Sequence, residues 1–549
     1  MSLHPHAVPS VPDDTAQIAN AIFPKGHGYL RVRDSFGTFF RDEDFADLYP
    51  THGQPAFAPW RLALVTILQF AESLTDRQAA DAVRTRIDWK YVLSLPLCDQ
   101  GFDFSVLSEF RARLIAGQAE ERLLSKLIEQ FRNTGALRPR SRQRTDATHV
   151  LAAVRNLNWL EIVGETMRAA LNTLALIAPD WLRIQSQPEW LDRYGAQIEF
   201  SRLPSTVPAQ TQWAEQVGAD GQSLLAAIDA DETMIWLHQV PALHTLRVVW
   251  SQRYDLVNGE VRFRARAQLP PSAQMIQSPY DPDARFGGKR STTWLGYKVH
   301  VTETCEPDTP HLIVDVQTTV ATTPDCVPLA AIQASLDARD VVPSQQFVDS
   351  GYISGHALAS SSLTYGIDVV GPARWGAHAW QSHTQEGFSK DHFVVDWDQK
   401  QITCPQGKVS SSWQALQDTQ GRAYMVASFR VRDCEPCPVH AQCTKARSRH
   451  VQVLPQADEQ ALHTARQRQG TPTFQEQYAC RAGVEGTHSQ GVRRCGLRRS
   501  RYIGLTKTHV QHIATAAALN VIRAAEWLAG ATSAQTHQSP LVRLLKQAS

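Results

Sequence analysis

The 549-residue chain reads as an α/β protein built in several pieces, and three observations predict this. Strand-like alternation and helical apolar spacing both occur along it. Proline-bearing stretches such as "LRPRSRQR" and "LPPSAQMIQSPYDPDA" separate the periodic blocks. Three acidic residues, Asp146, Asp349 and Glu485, lie at or just beyond strand-like or helix-like runs.

Residues 1–54 read as an N-terminal extension. Residues 55–140 read as a helical unit. "WRLALVTILQFAESL" has helical apolar spacing, and "TDRQ" offers a capping box with Thr75 as cap and Gln78 three residues on. A further helix, "SVLSEFRARLI", carries Arg111 and Arg113. Short helices, tight turns and arginine-bearing faces are the pattern of a helix-turn-helix, which makes Arg111 a candidate DNA contact.

Residues 141–160 hold the strand "TDATHVLAAV" with Asp146, and 161–275 a mainly helical, tryptophan-bearing block. Across 276–372 come the strands "TWLGYKVHVTE" and "HLIVDVQTTV", a helix near "CVPLAAIQASLDAR", then the strands "QQFVDSGYI" and "IDVVGPA". Residues 373–470 read as a β-rich insertion with clustered cysteines. Residues 471–530 carry Glu485 on late helices, and 531–549 form a tail. With the two insertions removed, the order is close to that of an RNase H-like core, whose first acid lies on the first strand, second just past the fourth, and third on a late helix.

The composition, 43% hydrophobic and 20% charged, fits a globular protein able to bury sizeable cores, and the length allows two to four domains. A net charge of +1 gives no support to a nucleic-acid partner, but local charge does. Arg481, Arg493, Arg494, Arg498, Arg499, Arg501 and Lys507 surround Glu485; Arg132, Arg138, Arg140, Arg142, Arg144 and Arg155 surround Asp146. Cations crowded around isolated acids make sense where the acids hold metal and the cations meet phosphate. The plainer alternative is a solvated basic face. No secretory leader is evident, and "LALVTILQFA" is too short to span a bilayer, so a cytoplasmic protein with no membrane partner is expected.

Three carboxylates suit two Mg²⁺ ions gripping a phosphodiester, because oxygen ligands match a hard cation and paired ions stabilise both attacking and leaving oxygens. His149 and His488 each follow an acid by three residues, close enough to affect it. The nine cysteines argue for metal rather than a disulfide framework. Cys434 and Cys437 form a C-x2-C pair, Cys443 follows, and Cys404 opens "CPQGK" upstream, a set suited to a structural Zn²⁺ site. His440 could replace Cys443 or Cys404, and chance clustering of reduced thiols is the alternative.

Tyr478, Arg481 and Glu485 stand at the spacing tyrosine, two residues, arginine, three residues, glutamate. With "SPYDPDARFGGKRSTTWLGYKVH", "VDSGY" and the helical stretch from "PAFAPW" to "FRARL", this pattern resembles the bacterial insertion-sequence DDE transposases over about residues 20–530. Those enzymes often carry a lysine separated from the glutamate by six residues; here Val492 stands at that position, followed by Arg493 and Arg494. The resemblance implies that Asp146, Asp349 and Glu485 hold two Mg²⁺ ions for cleavage and strand transfer on double-stranded DNA. It implies Tyr478, Arg481, Arg493, Arg494 and Lys298 as DNA contacts and a homodimer holding two transposon ends. A nuclease that does not join strands and an inactive DNA-binding remnant are the competing readings.

Overall fold

The computed structural model describes residues 1–289, 291–373, 388–418, 421–531 and residue 544. A six-stranded sheet organises it. The strand Gln143–Leu151 lies near its middle, antiparallel to Thr292–Thr304 on one side and parallel to Gln345–Phe347 on the other. Asp368–Val370 continues the parallel half. Thr292–Thr304 is long enough to carry two neighbours on its far edge: Arg285–Lys289 along its first part and Ile313–Val320 along its second. The helix Leu329–Ala338 connects the antiparallel half to the parallel half, and the helix Gly355–Tyr365 joins the two parallel strands. Strands, connecting helix and strands thus follow in the order expected from sequence, with Arg285–Lys289 added.

The central strand is buried along most of its length, so its polar side chains must find partners inside. Thr145 Oγ1 lies 2.8 Å from Thr302 Oγ1 and accepts from Gln346 Nε2 at 2.9 Å, while Gln143 Nε2 donates to the Val341 carbonyl. The 24-residue helix Leu505–Leu528 packs on Ile313–Val320, and its alanines permit a close approach. Asn520 extends that contact through bonds of 2.7 and 2.8 Å to the Ile313 backbone, as another strand would.

The same helix packs on Pro59–Ala71 from the N-terminal helices, so one continuous apolar core runs from those helices into the sheet. Thr75 caps the helix Asp76–Thr85 reciprocally with Gln78, as the sequence predicts. Residues read as an extension contain the helices Asp13–Ile22 and Gly28–Phe36. Phe36 packs edge-on against Phe131 with ring centres 5.1 Å apart, so part of that stretch belongs to the core.

Between Leu151 and Arg285 the helices Trp159–Ile177, Val207–Ala230 and Pro241–Arg253 surround a second core containing Trp181, Trp190 and Trp250. Gly221 is required where two of them meet, because a Cβ there would lie 2.3 Å from the Trp250 ring. The hairpin Tyr254–Val257 with Glu260–Phe263 completes this body and has no counterpart in the helical expectation.

The cysteine region holds two small sheets, Val394–Asp396 with Gln401–Thr403, and Ser412–Gln417 with Ala423–Ser428 and His450–Val453. The helix Gln456–Gln469 occupies the end of the stretch expected to be β-rich. Residues 374–387 and 419–420 of that expected insertion, and nearly all of the expected tail, lie outside the described residues. Among the described residues, no helix is long and apolar enough to cross a membrane.

Candidate active site

Asp146 sits in the middle of the central strand, paired in register with Val301. Asp349 follows the strand Gln345–Phe347 by two residues, and Glu485 lies in the first turn of the helix Gly483–Cys495. Arg481 connects two of these elements. Its guanidinium lies 2.7 Å from Asp146 Oδ2 and 3.6 Å from Glu485 Oε1. Asp349 is near enough that its charge acts on both Asp146 and Arg481.

The electrostatics follow from burial. Desolvation pushes the Asp146 carboxyl above its ordinary range and Asp349 adds to the rise, against the lowering pull of Arg481, the Ala147 N–H and Lys289. For Arg481, burial opposes the charge, but Asp146, Tyr478, Asp349 and Glu485 together outweigh it and raise the pKa. Arg481 Nε is buried without a hydrogen-bond partner. The Asp146 side chain is 9% exposed and that of Glu485 is 70% exposed, so the third acid faces solvent. Among the described residues, no three His, Cys, Asp or Glu side chains stand close enough together, as placed, to hold a metal ion.

A buried ionic network fixes the turn and helix that carry Arg481 and Glu485. Glu303, fully buried, accepts from Arg144 and Arg523 at 2.7 Å each and from Thr487 at 2.5 Å. Arg144 also donates to the Cys480 carbonyl, one residue before Arg481. These bonds hold the late helix on the sheet, which places Arg481 beside Asp146. Tyr478 stacks on Phe474 with ring planes 10° apart, and burial raises its pKa. His488 is buried and bonded to the Asp146 backbone; burial lowers its pKa to about 4, so it stays neutral. His149 packs against Trp294, and burial with Arg498 and Lys289 lowers its pKa.

Sequence reasoning missed Asp325. A Cβ at Gly351 would lie 3.0 Å from Asp349 Oδ1 and 3.1 Å from Asp325 Oδ2, so these two carboxylates flank one glycine. Lys298 pairs with Asp325 at 2.8 Å and also donates to the Thr323 carbonyl. Its charge is committed to a loop acid rather than standing open. The only trace of Asp325 in the sequence is a lone acid in "TTPDCVP", with nothing to tie it to Asp349.

Two expectations for basic residues are corrected. Arg111, expected at DNA, is buried, paired with Asp76 at 2.5 Å and set over the Tyr502 ring. The cluster expected around Asp146 is largely engaged within the fold: Arg132 with Asp340, Arg142 with Glu306, Arg144 with Glu303, Arg155 with Glu161, and Arg140 with the carbonyls of Tyr365 and Gly366. The cluster near Glu485 is more open. Arg493, Arg499 and Lys507 are exposed, and Arg494, also exposed, lies 3.6 Å from Glu526 on the surface.

Two family models match. One, described as a transposase DDE domain, covers residues 403–525 and includes Tyr478, Arg481 and Glu485. The other, described as a transposase domain (DUF772), covers residues 17–113 in the N-terminal helices. Together the two matches support an insertion-sequence DDE transposase. No curated protein matches the chain. Transposase domains of this kind imply a DNA substrate, DNA cleavage and strand transfer in general, use of a divalent metal, and an RNase H-like core. Asp146 and Asp349 lie outside both matched segments, so their assignment rests on their places in the sheet and on Arg481.

Proposed function

We propose that this transposase binds the terminal inverted repeats of its own element and cuts and joins them at a centre made by Asp146, Asp349 and Glu485, acting in the cytoplasm as a homodimer on double-stranded DNA. The observation that carries this reading is the Arg481 guanidinium held between Asp146 and Glu485 with the Asp349 charge beside it. Two carboxylates from separate parts of the chain contact this one cation, and the charge of a third acts on it.

The residues fit a magnesium pair. All three donors are oxygen anions, and the raised pKa of Asp146 reflects a buried carboxylate that added positive charge would favour in ionised form. Bound Mg²⁺ would supply Lewis-acid stabilisation of the reacting phosphodiester. Asp146 and Asp349, beside the sheet, and the exposed Glu485 would be the residues that hold it. Arg481, released from Asp146, is placed to meet a phosphate oxygen, with Tyr478 packed beside it. Arg493 and Arg494 line the exposed face of the same helix and serve the DNA backbone.

The test is a Mg²⁺-dependent assay on duplexes carrying the element's own ends, with Asp349→Asn in parallel. Nicking and joined products in the unaltered protein, both lost in the variant, are expected. Intact cleavage by the variant sinks the metal assignment. Cleavage without joining supports the nuclease reading, and binding without cleavage supports an inactive remnant.

A further inference from the structure

The cysteine region contains a second constellation that the transposition chemistry does not use. Cys404 opens a tight turn in which Gly407 N–H donates to its carbonyl at 2.8 Å and Lys408 N–H donates to its sulfur at 3.3 Å. Gly407 adopts a φ of 75°, a left-handed conformation that glycine allows without strain. Cys434 ends the short helix Val431–Cys434, and Cys437 N–H donates to its carbonyl at 3.1 Å. Cys443 ends the next short helix, His440–Cys443. Three separate backbone turns thus deliver four thiols to the walls of one cavity.

Two further observations point to an occupant. His440 lines the same cavity, and its Nε2 is buried with no hydrogen-bond partner. The surrounding apolar core is also small: Phe393, Ile402, Ala427, Phe429, Val451 and Val453 are its buried members. Two short sheets resting on so few side chains need an additional cross-link, and small folds commonly obtain it from a structural metal. None of the four cysteines is joined in a disulfide among the described residues, so disulfides do not supply it.

We propose that Cys404, Cys434, Cys437 and Cys443 bind one Zn²⁺ ion as thiolates in a closed tetrahedral site that holds the two small sheets together. Thiolate sulfur suits zinc, and a four-ligand site leaves no position open for catalysis, so the role is structural. The sulfurs surround the cavity without standing at ligand spacing, so binding draws them inward by side-chain rotation. This proposal stands apart from the acid centre and does not depend on transposition.

The test uses the full-length protein. Elemental analysis of protein purified without added metal is expected to find one zinc per chain. Replacement by Co²⁺ is expected to give the visible bands of tetrahedral thiolate-bound cobalt. Cys434→Ser and Cys437→Ser are each expected to lose most of the bound zinc. Should those variants fail to fold, alkylation of the unaltered protein decides: these four thiols are expected to react many-fold more slowly than exposed Cys98 until a chelator is added. Absence of zinc with no thiolate–cobalt bands overturns the proposal. So does rapid alkylation of all four thiols without a chelator, or a mass showing Cys434 joined to Cys437 as a disulfide.

Discussion

Asp146 and Glu485 touch the same arginine yet occupy opposite environments. Asp146 is locked in the central strand, nearly sealed from water, with its carboxyl held above its ordinary range by burial and by Asp349. Glu485 stands at a helix start with most of its side chain in solvent. One acid is positioned by the sheet and the other by a helix that the Glu303 network pins down. The difference teaches that the proposed site would be half built by the core and half completed by a surface side chain. Arg481 supplies the positive charge between them.

The largest effects should come from the two acids. Asp146→Asn and Glu485→Gln are each expected to lower strand cleavage by on the order of 10²–10³-fold or more, the scale seen when one preorganised electrostatic group is removed. Their stabilities should part. Asp146→Asn leaves the largely buried Arg481 without its 2.7 Å carboxylate partner, so its melting temperature should fall. Glu485→Gln should leave the melting temperature unchanged, because the side chain is exposed. Equal thermal shifts in the two variants would break the contrast.

Glu303→Gln attacks the network that brings the halves together. It leaves Arg144 and Arg523 buried without their anion, at a cost of about 3–5 kcal/mol, measurable by urea unfolding. Cleavage should fall with it, since Arg144 also supports the turn before Arg481.

Acid should weaken the fold through buried histidines. Burial lowers the pKa of His300 and His488 to about 4 and that of His512 to about 3, each from an ordinary 6.5. With folded values below unfolded ones, the stability due to neutral burial is complete above about pH 6.5. It drains as pH falls toward 4, by up to about 1.4 kcal/mol per unit for each histidine. Denaturant midpoints measured from pH 7 to pH 5 should fall steadily; a flat profile would contradict the buried neutral state.

Gly351→Ala is the gentlest probe. Its methyl group would press on Asp349 and Asp325 at 3.0–3.1 Å, so cleavage should drop by about tenfold or less, roughly 1.4 kcal/mol in the barrier, with little change in melting temperature. A loss of stability without a loss of rate would show that the two carboxylates simply move aside.

Much of this arrangement was legible in the sequence where the signal was local. The capping box at Thr75 and Gln78, the strand around Asp146, and the turn with Arg481 leading into the helix with Glu485 all lie within short stretches whose periodicity or spacing is self-contained. What stayed hidden depends on distant partners. Arg144 reads as part of a basic patch until Glu303, 159 residues away, is seen to neutralise it. Arg111 reads as a DNA contact until Asp76 and Tyr502 enclose it. The shared core of N-terminal helices and sheet depends on a helix that begins only at Leu505, so no local pattern announces it.

The most direct test of the three-acid centre is metal-directed cleavage of the protein itself. Fe²⁺ placed in the Mg²⁺ sites, with ascorbate and peroxide, cuts the backbone beside its ligands, and the fragments can be mapped by mass. The account predicts cuts near residues 146, 349 and 485 together, all suppressed by excess Mg²⁺. Cuts that spare the Glu485 helix, or that persist unchanged in Asp146→Asn, would contradict it.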